Sequence, residues 1–175
     1  MIVHIDCDTK GAFPLSEQQS RALLRFCRSV GADVFTVNFL FVRGEESERL
    51  AEEFYGRLAP FAAEQKLLEC VCGNGFKQQD CWSLTDQTID VIVTETHGNL
   101  FAHSILKLPE DWMIYLGDYV ILQVVTHEQE ITLRLTDAQF AAFSQLGIPY
   151  SPGQPEWSGL PEFPVRTPPL ERTSG

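Results

Sequence analysis

Three strand-like segments follow one another in the second half of the chain, and the very short turns between them restrict the fold more than any other feature. Residues 112–116 and 119–125 are rich in aromatic and β-branched side chains and flank the two-residue turn signal Gly117-Asp118. A third apolar run, 131–135, follows a short polar stretch. Strands with such short connections pair antiparallel with their neighbours. The sequence therefore predicts an antiparallel meander.

Strands and helices alternate in the first half of the chain. A strand-like run over residues 2–5 precedes a helix predicted over 17–30, which begins with a capping box at Ser16. A strand over 33–42, apolar on both faces, and a helix over 45–59 follow. The order β-α-β-α and then a meander predicts an α+β fold, in which one mixed, mostly antiparallel sheet carries three or four packed helices.

Three more elements are predicted from local patterns. The β-branched run over residues 88–94 predicts a strand, and residues 99–106 have the pattern of a short helix. A last helix is predicted to begin at a Thr136 cap and to end at Gly147.

A glycine-rich turn at residues 73–75 predicts a further hairpin, whose first strand covers 67–72. The expected register places Cys81 opposite Leu67 or Leu68, well along the ladder from the other cysteines. Structural zinc needs four ligands, and no fourth one is near in sequence. We therefore interpret the three cysteines of this region as ordinary buried thiols: Cys70, Cys72 and Cys81.

The distribution of proline divides the chain into two parts. Residues 1–148 form the predicted single domain, whereas 149–175 contain seven of the ten prolines. Regular structure is disfavoured there, because proline lacks a backbone N–H. Aromatic residues of this segment, such as Tyr150 and Trp157, still need an apolar surface. We expect residues 149–165 to run extended over the domain or over a partner, and residues 166–175 to be loose.

Cysteine usage and the N-terminus predict a cytoplasmic protein. Five cysteines are an odd number in a chain large enough to fold without disulfides, which is typical of reduced thiols. The first residues show no basic stretch followed by an apolar one, so no signal peptide is expected.

The net charge is −11, and residues 80–137 carry most of it, with ten acidic residues against two basic ones. This sign disfavours contact with nucleic acid or an anionic membrane and favours a protein partner with a basic surface. The alternative is that the acidic surface serves only solubility. The residues predicted to contact such a partner are Glu110, Asp111, Asp118, Glu128 and Glu130.

Asp6 and Asp8 follow the first strand, where carboxylates often hold Mg²⁺ or Mn²⁺. Residues 6–9, Asp-Cys-Asp-Thr, resemble the first motif of metal-dependent phosphatases and of nucleoside hydrolases. The threonine stands one position early for the phosphatases, the second aspartate pair of the hydrolases is absent, and no further motif follows. If the strand at 88–94 ran parallel to the first, Glu95 and His97 would join the two aspartates.

Two functions follow from these observations. The favoured one is a small acidic protein-binding module, such as an immunity protein that neutralises a basic toxin, with no catalytic residue and no cofactor. The alternative is a hydrolase that uses Asp6, Asp8, Glu95 and His97, with Mg²⁺ or Mn²⁺ bound by Asp6, Asp8 and His97.

Overall fold

A computed structural model describes residues 1–6, 15–38, 45–69, 75–100, 110–126 and 129–152. Its elements are β1 (Ile2–Asp6), α1 (Glu17–Ser29), β2 (Val34–Asn38), α2 (Glu45–Leu58), β3 (Lys66–Glu69), β4 (Phe76–Gln79), β5 (Trp82–Ser83), α3 (Asp86–Glu95), β6 (Glu110–Leu116), β7 (Tyr119–Val125), β8 (Glu130–Arg134), α4 (Asp137–Phe143) and β9 (Ser151–Pro152). Short 3-10 turns, Ala59–Phe61 and Ser144–Leu146, follow α2 and α4.

Seven strands form one large sheet in the order β5-β2-β6-β7-β8-β1-β9, and every neighbouring pair is antiparallel. The predicted α+β class and the predicted meander, β6-β7-β8, are both confirmed. Strands β1 and β2 point the same way on either side of α1 in the chain. They are not neighbours, because the meander lies between them.

The two ends of the sheet are distinguished by their connections. At the end that we name the Asp6 end, β1 and β2 finish and β6 and β8 begin, with Asp6 opposite Glu130 and Asn38 opposite Glu110. At the Asp118 end, the turn between β6 and β7 contains Asp118. Helix α1 runs toward the Asp118 end, where Gly31 approaches Leu116.

The four described helices cover one face of the sheet and the β3–β4 hairpin covers part of the other. We name the apolar residues of the first interface the helical core; it includes Leu23, Phe54, Ile92 and Phe143. The second interface, the hairpin core, consists of Val34, Leu68, Cys81, Met113, Tyr115 and Val120. Strand β2 is buried on both faces, as predicted, because Phe35 and Val37 lie in the helical core and Val34 in the hairpin core.

Capping boxes begin three of the helices. The Ser16 and Thr136 side chains accept hydrogen bonds from the backbone N–H groups of Gln19 and Gln139, so the predicted starts of α1 and α4 are confirmed. The prediction of a strand over 88–94 is wrong, since these residues form α3, with Thr85 as its N-cap. Its isoleucine and valine side chains favour strands by propensity, but they also repeat at helical spacing, and packing against α1 decides between the two.

The β3–β4 hairpin is confirmed, but its predicted register is wrong. Leu67 pairs with Gln78, whereas the register predicted from the sequence pairs Leu67 or Leu68 with Cys81. Burial of Leu68 and an ion pair of Glu69 hold β3 in this position, so contacts outside the hairpin determine the register.

The start of the proline-rich segment adds a short strand to the edge of the sheet. His4 pairs with Ser151 and Val3 with Pro152, and the Tyr150 ring contacts Phe143 at 5.6 Å. Residues 153–175 and most of the predicted helix at 99–106 lie outside the described residues. No helix in the described ranges combines the length and the apolar character needed to cross a membrane.

Candidate functional site

The predicted metal ligands are not arranged as the sequence suggested. Glu95 and His97 follow a helix, not a strand parallel to β1, so that premise is wrong. The carboxylate of Glu95 forms an ion pair with Arg57. His97 is exposed and has a left-handed backbone, with φ of 51°. Glu95 is therefore already neutralised by a cation of this chain.

Helix α3 nevertheless ends on the same side of the domain as β1. The carbonyl of Gly98 accepts a 2.7 Å hydrogen bond from Ser20, near the start of α1, and α1 starts toward the Asp6 end. Among the described side chains, no three His, Cys, Asp or Glu residues lie close enough to hold a metal ion. Asp8 lies outside the described residues and Asp6 is described only in its backbone, so the metal site remains a prediction from the sequence.

The acids predicted to contact a partner lie at opposite ends of the sheet. Asp118 is exposed in the β6–β7 turn, while Glu110 and Glu130 begin strands at the Asp6 end. Asp111 is only 9% exposed, and its carboxylate accepts a 3.1 Å hydrogen bond from the backbone of Thr126. Glu128 lies outside the described residues.

Glu130 takes part in a small, partly buried polar cluster that joins β1 and β8. Its carboxylate contacts His4 Nδ1 and accepts a 2.7 Å hydrogen bond from the Thr132 hydroxyl. In a hydrolytic triad the nucleophilic hydroxyl donates to a histidine base, and the histidine is oriented by a carboxylate. Here the hydroxyl donates directly to the carboxylate, so the cluster is not arranged as a hydrolytic triad. We interpret it as a cross-strand network that orders the acidic end of β8.

Every arginine of the described residues is within ion-pair distance of a carboxylate. Arg21, Arg25 and Arg28 on α1 meet Asp86 and Asp90 on α3. Several acids of the strongly negative region 80–137 are thus neutralised by arginines from the first half of the chain. The remaining arginine pairs are Arg49–Glu53, Arg57–Glu95 and Arg134–Glu69.

The exposed carboxylates that lack a basic partner within the described ranges lie elsewhere. Glu45, Glu48 and Glu52 share one face of α2 by their spacing, and we name them the α2 acidic strip. Tyr55 continues the same face one turn further. Asp118 and two acids near the end of α2, Glu64 and Asp80, are also exposed. The unneutralised negative charge of the described residues therefore includes a helix surface outside the predicted acidic region 80–137.

A cavity of about 530 Å³ opens beside α2, and we name it the Tyr55–Trp82 cavity. The two rings stack with centroids 5.6 Å apart and planes 20° from parallel. Strand β5 pairs with β2 only at Val34 and Phe35, so the next residues of β2 line the cavity. Its lining consists of Thr36, Val37, Tyr55, Ala62, Ala63, Gln79, Asp80, Cys81 and Trp82.

The described lining of the cavity has one charged side chain, the carboxylate of Asp80. Asp80 is exposed, and its carboxylate accepts a 2.5 Å hydrogen bond from the neutral Gln65 amide. Burial and the charge of Asp80 raise the pKa of Tyr55, so its phenol stays neutral at physiological pH. Burial likewise raises the pKa of Cys81, whose thiol donates to the Glu64 carbonyl at 3.3 Å. The Cys81 thiol is therefore poorly suited to act as a nucleophile.

The sequence contains no local signal that predicts this cavity. Tyr55 and Trp82 are distant in the chain, and neither residue belongs to a local motif. The α2 acidic strip does have a signal in the sequence, the helical spacing of its glutamates, which is visible when charge is compared between the faces of a helix. No family model, curated protein or solved structure matches this chain.

Proposed function

We propose that this protein is a binding module that docks a partner with a basic surface, in the manner of immunity proteins that neutralise a cationic toxin. The observation that supports this proposal is the distribution of charge pairing. The described arginines are all engaged by carboxylates of the same chain, whereas the α2 acidic strip is exposed and has no basic partner among the described residues.

Such a surface acts mainly on the rate of association. Uncompensated carboxylates on one helix face attract a cationic protein over roughly a Debye length, about 8 Å at physiological salt. The resulting gain in association rate falls as salt is added, while short-range contacts set the lifetime of the complex. Glu110, Asp118, Glu128 and Glu130 remain contacts predicted from the sequence, and Glu130 among them is already in contact with His4 and Thr132.

The experiment requires the partner, and the product of the neighbouring reading frame is the first protein to examine. If that product is a toxin, co-expression with this chain should prevent its effect on growth. Association should then be measured by surface plasmon resonance at low and high salt. Glu48→Gln combined with Glu52→Gln should slow association roughly threefold or more at low salt and reduce the salt dependence.

A matched control has the same change in net charge at another place. Gln87→Lys combined with Gln145→Lys adds two positive charges at exposed positions on other elements. It should slow association less than the α2 double variant does. Equal effects of the two double variants, or association that does not depend on salt, would contradict docking through the α2 acidic strip. Reversal of Glu128 and Glu130 to Lys tests the second acidic region in the same way.

A further inference from the structure

We propose that the Tyr55–Trp82 cavity is a binding site for a guanidinium group, supplied by an arginine side chain of the docked partner. The inference depends on the proposed function in one respect, namely that the arginine belongs to the docked partner. The chemistry of the cavity itself is independent of that function. The cavity combines two aromatic rings with an exposed carboxylate, and the α2 acidic strip leads to it.

The aromatic wall fits a flat cation. A guanidinium stacks on aromatic rings and is attracted by their negative faces, and tryptophan is the strongest such ring. Tyr55 and Trp82 are stacked on each other and only partly buried, so the pair provides a preformed surface. Phe35 supports Trp82 from the helical core at a centroid distance of 5.9 Å, which limits movement of that ring.

The polar groups of the cavity favour a donor of several hydrogen bonds. Asp80 accepts from Gln65 through one oxygen, and its second oxygen has no partner among the described residues. Gln79 also lines the cavity; its amide nitrogen donates to the Glu69 carbonyl at 3.4 Å and lies 3.5 Å from the Tyr115 hydroxyl, so its amide oxygen is the group that can accept from a ligand. A guanidinium carries five N–H donors in a planar fork and suits such a set better than the single point charge of an ammonium.

No cation of the described chain occupies this position. Lys66 is near Cys81, but its ammonium is held by Asp33 at 2.8 Å. The α2 acidic strip leads along one helix face to Tyr55, so a cationic side chain meets negative potential before it reaches the cavity. The volume, about 530 Å³, lies within the usual range of ligand sites and is ample for one arginine side chain.

The site can be tested without the partner. The probe is N-acetyl-arginine amide, and the matched ligand is N-acetyl-citrulline amide, which has nearly the same shape but no charge. Amide and indole resonances in two-dimensional NMR spectra report where each compound binds. The arginine compound should shift the Trp82 indole and the backbone amides of Gln79 to Trp82, with weak, saturable affinity. The citrulline compound should cause much smaller shifts.

Two variants separate a local site from general attraction to an acidic protein. Asp80→Asn should weaken binding of the arginine probe about fivefold, as expected for one partly exposed ion pair. Asp137→Asn removes the same charge from the exposed first turn of α4, away from the cavity and the predicted contacts, and should leave the affinity unchanged. Equal affinities of these two variants, equal shifts by both ligands, or the absence of shifts at the cavity would overturn the proposal.

The partner experiment then distinguishes this inference from the proposed function. If Asp80→Asn loses the arginine probe but binds the partner as tightly as the unmodified protein, the cavity serves a free small cation, and the assignment to a partner arginine is wrong. If the probe fails to bind while the α2 double variant still slows association, docking stands and the cavity proposal fails. If the probe binds but the α2 double variant associates with the partner as fast as the unmodified protein, the proposed docking mode fails instead.

Discussion

The two faces of the large sheet are covered in different ways. The helical core joins four helices to the sheet through a large set of apolar side chains. Among the described residues, the hairpin core has six buried members, beneath strands of four residues each. A two-stranded ribbon of that size has little stability by itself. The comparison suggests that apolar burial holds the helices, whereas specific polar contacts hold the hairpin.

The main polar contact is a buried ion pair. Arg134 of β8 meets Glu69 of β3 through two parallel bonds, of 3.0 and 3.1 Å, and both side chains are 5% exposed. Glu69 also accepts a 3.1 Å bond from the Val120 N–H, and its carbonyl accepts from the Tyr115 hydroxyl. These bonds specify where β3 lies on the sheet, because each has only one compatible geometry.

The largest effect is expected where this polar attachment is broken. Arg134→Met leaves the Glu69 carboxylate buried without its cation and should lower the free energy of unfolding by about 3–5 kcal/mol. Combining it with Glu69→Gln should recover most of that loss, since the amide oxygen can still accept from Val120. Urea denaturation measures both. Arg49→Met, at an exposed pair, serves as the control and should cost less than about 1 kcal/mol.

If the double variant were no more stable than Arg134→Met alone, the claim that this ion pair holds the hairpin would be contradicted. The cost would then come from lost packing of the arginine stem and not from an uncompensated charge.

On the helical face, the size of a side chain should matter more than its polar partners. Leu23 of α1 is fully buried, and Leu23→Ala should cost about 2–5 kcal/mol through lost burial and the cavity left behind. Leu23→Met keeps most of the volume and should cost less than about 1.5 kcal/mol. Equal losses in the two variants, measured by urea denaturation, would show that volume is not the determinant there.

Two cysteines, one in each core, allow the local stability of the two faces to be compared directly. Burial raises the pKa of Cys27 in the helical core to about 12, and it raises that of Cys81 in the hairpin core as well. Cys27 is fully buried, and Cys81, although it lines the Tyr55–Trp82 cavity, is only 2% exposed, so each thiol should react slowly while its core is closed. If the hairpin opens separately from the helices, Cys81 should be alkylated at least about tenfold faster than Cys27.

Peptide mapping by mass spectrometry after timed exposure to iodoacetamide measures both rates in the same sample. Equal rates, or a faster rate at Cys27, would mean that the two faces open together or in the opposite order.

The smallest effect is expected at the surface contact between α1 and α3. A hydrogen bond from Arg28 lowers the pKa of Asp86, so this contact stabilises the fold above the ordinary carboxyl pKa and is lost as the pH falls through the lowered value. Asp86→Asn should therefore reduce the urea midpoint slightly at neutral pH, and the difference should shrink progressively as the pH is lowered below the ordinary carboxyl pKa of about 4. Asp137→Asn, in the first turn of α4, controls for the helix dipole.

If the difference in urea midpoint between Asp86→Asn and the unmodified protein persisted unchanged at acid pH, the contribution of this contact would not be electrostatic.

Local patterns predicted much of the fold correctly. The caps at Ser16 and Thr136 determine where α1 and α4 begin, because they satisfy backbone groups only three residues away. The turn at Gly117-Asp118 was equally informative, since Gly117 has the positive φ, 65°, that this turn needs. The prediction of a strand over 88–94 was wrong because the β-branched side chains there favour a strand, whereas the spacing of the apolar residues fits a helix. Packing against α1 decides in favour of the helix.

The candidate site was less predictable than the fold. A count of charge along the chain selected residues 80–137, but arginines of α1 and α2 neutralise Asp86, Asp90 and Glu95. Which acids remain unneutralised depends on pairs that are far apart in sequence. The Tyr55–Trp82 cavity has the same origin, since its two rings come from a helix and a short strand.

The sequence by itself determined the ends of α1 and α4, the meander and the excess of negative charge. Each of these depends on a few neighbouring residues or on composition alone. The tertiary structure decided the helical state of α3, the hairpin register, the order of strands and the identity of the free carboxylates. Those properties arise from contacts between distant segments, whose energies no local pattern contains.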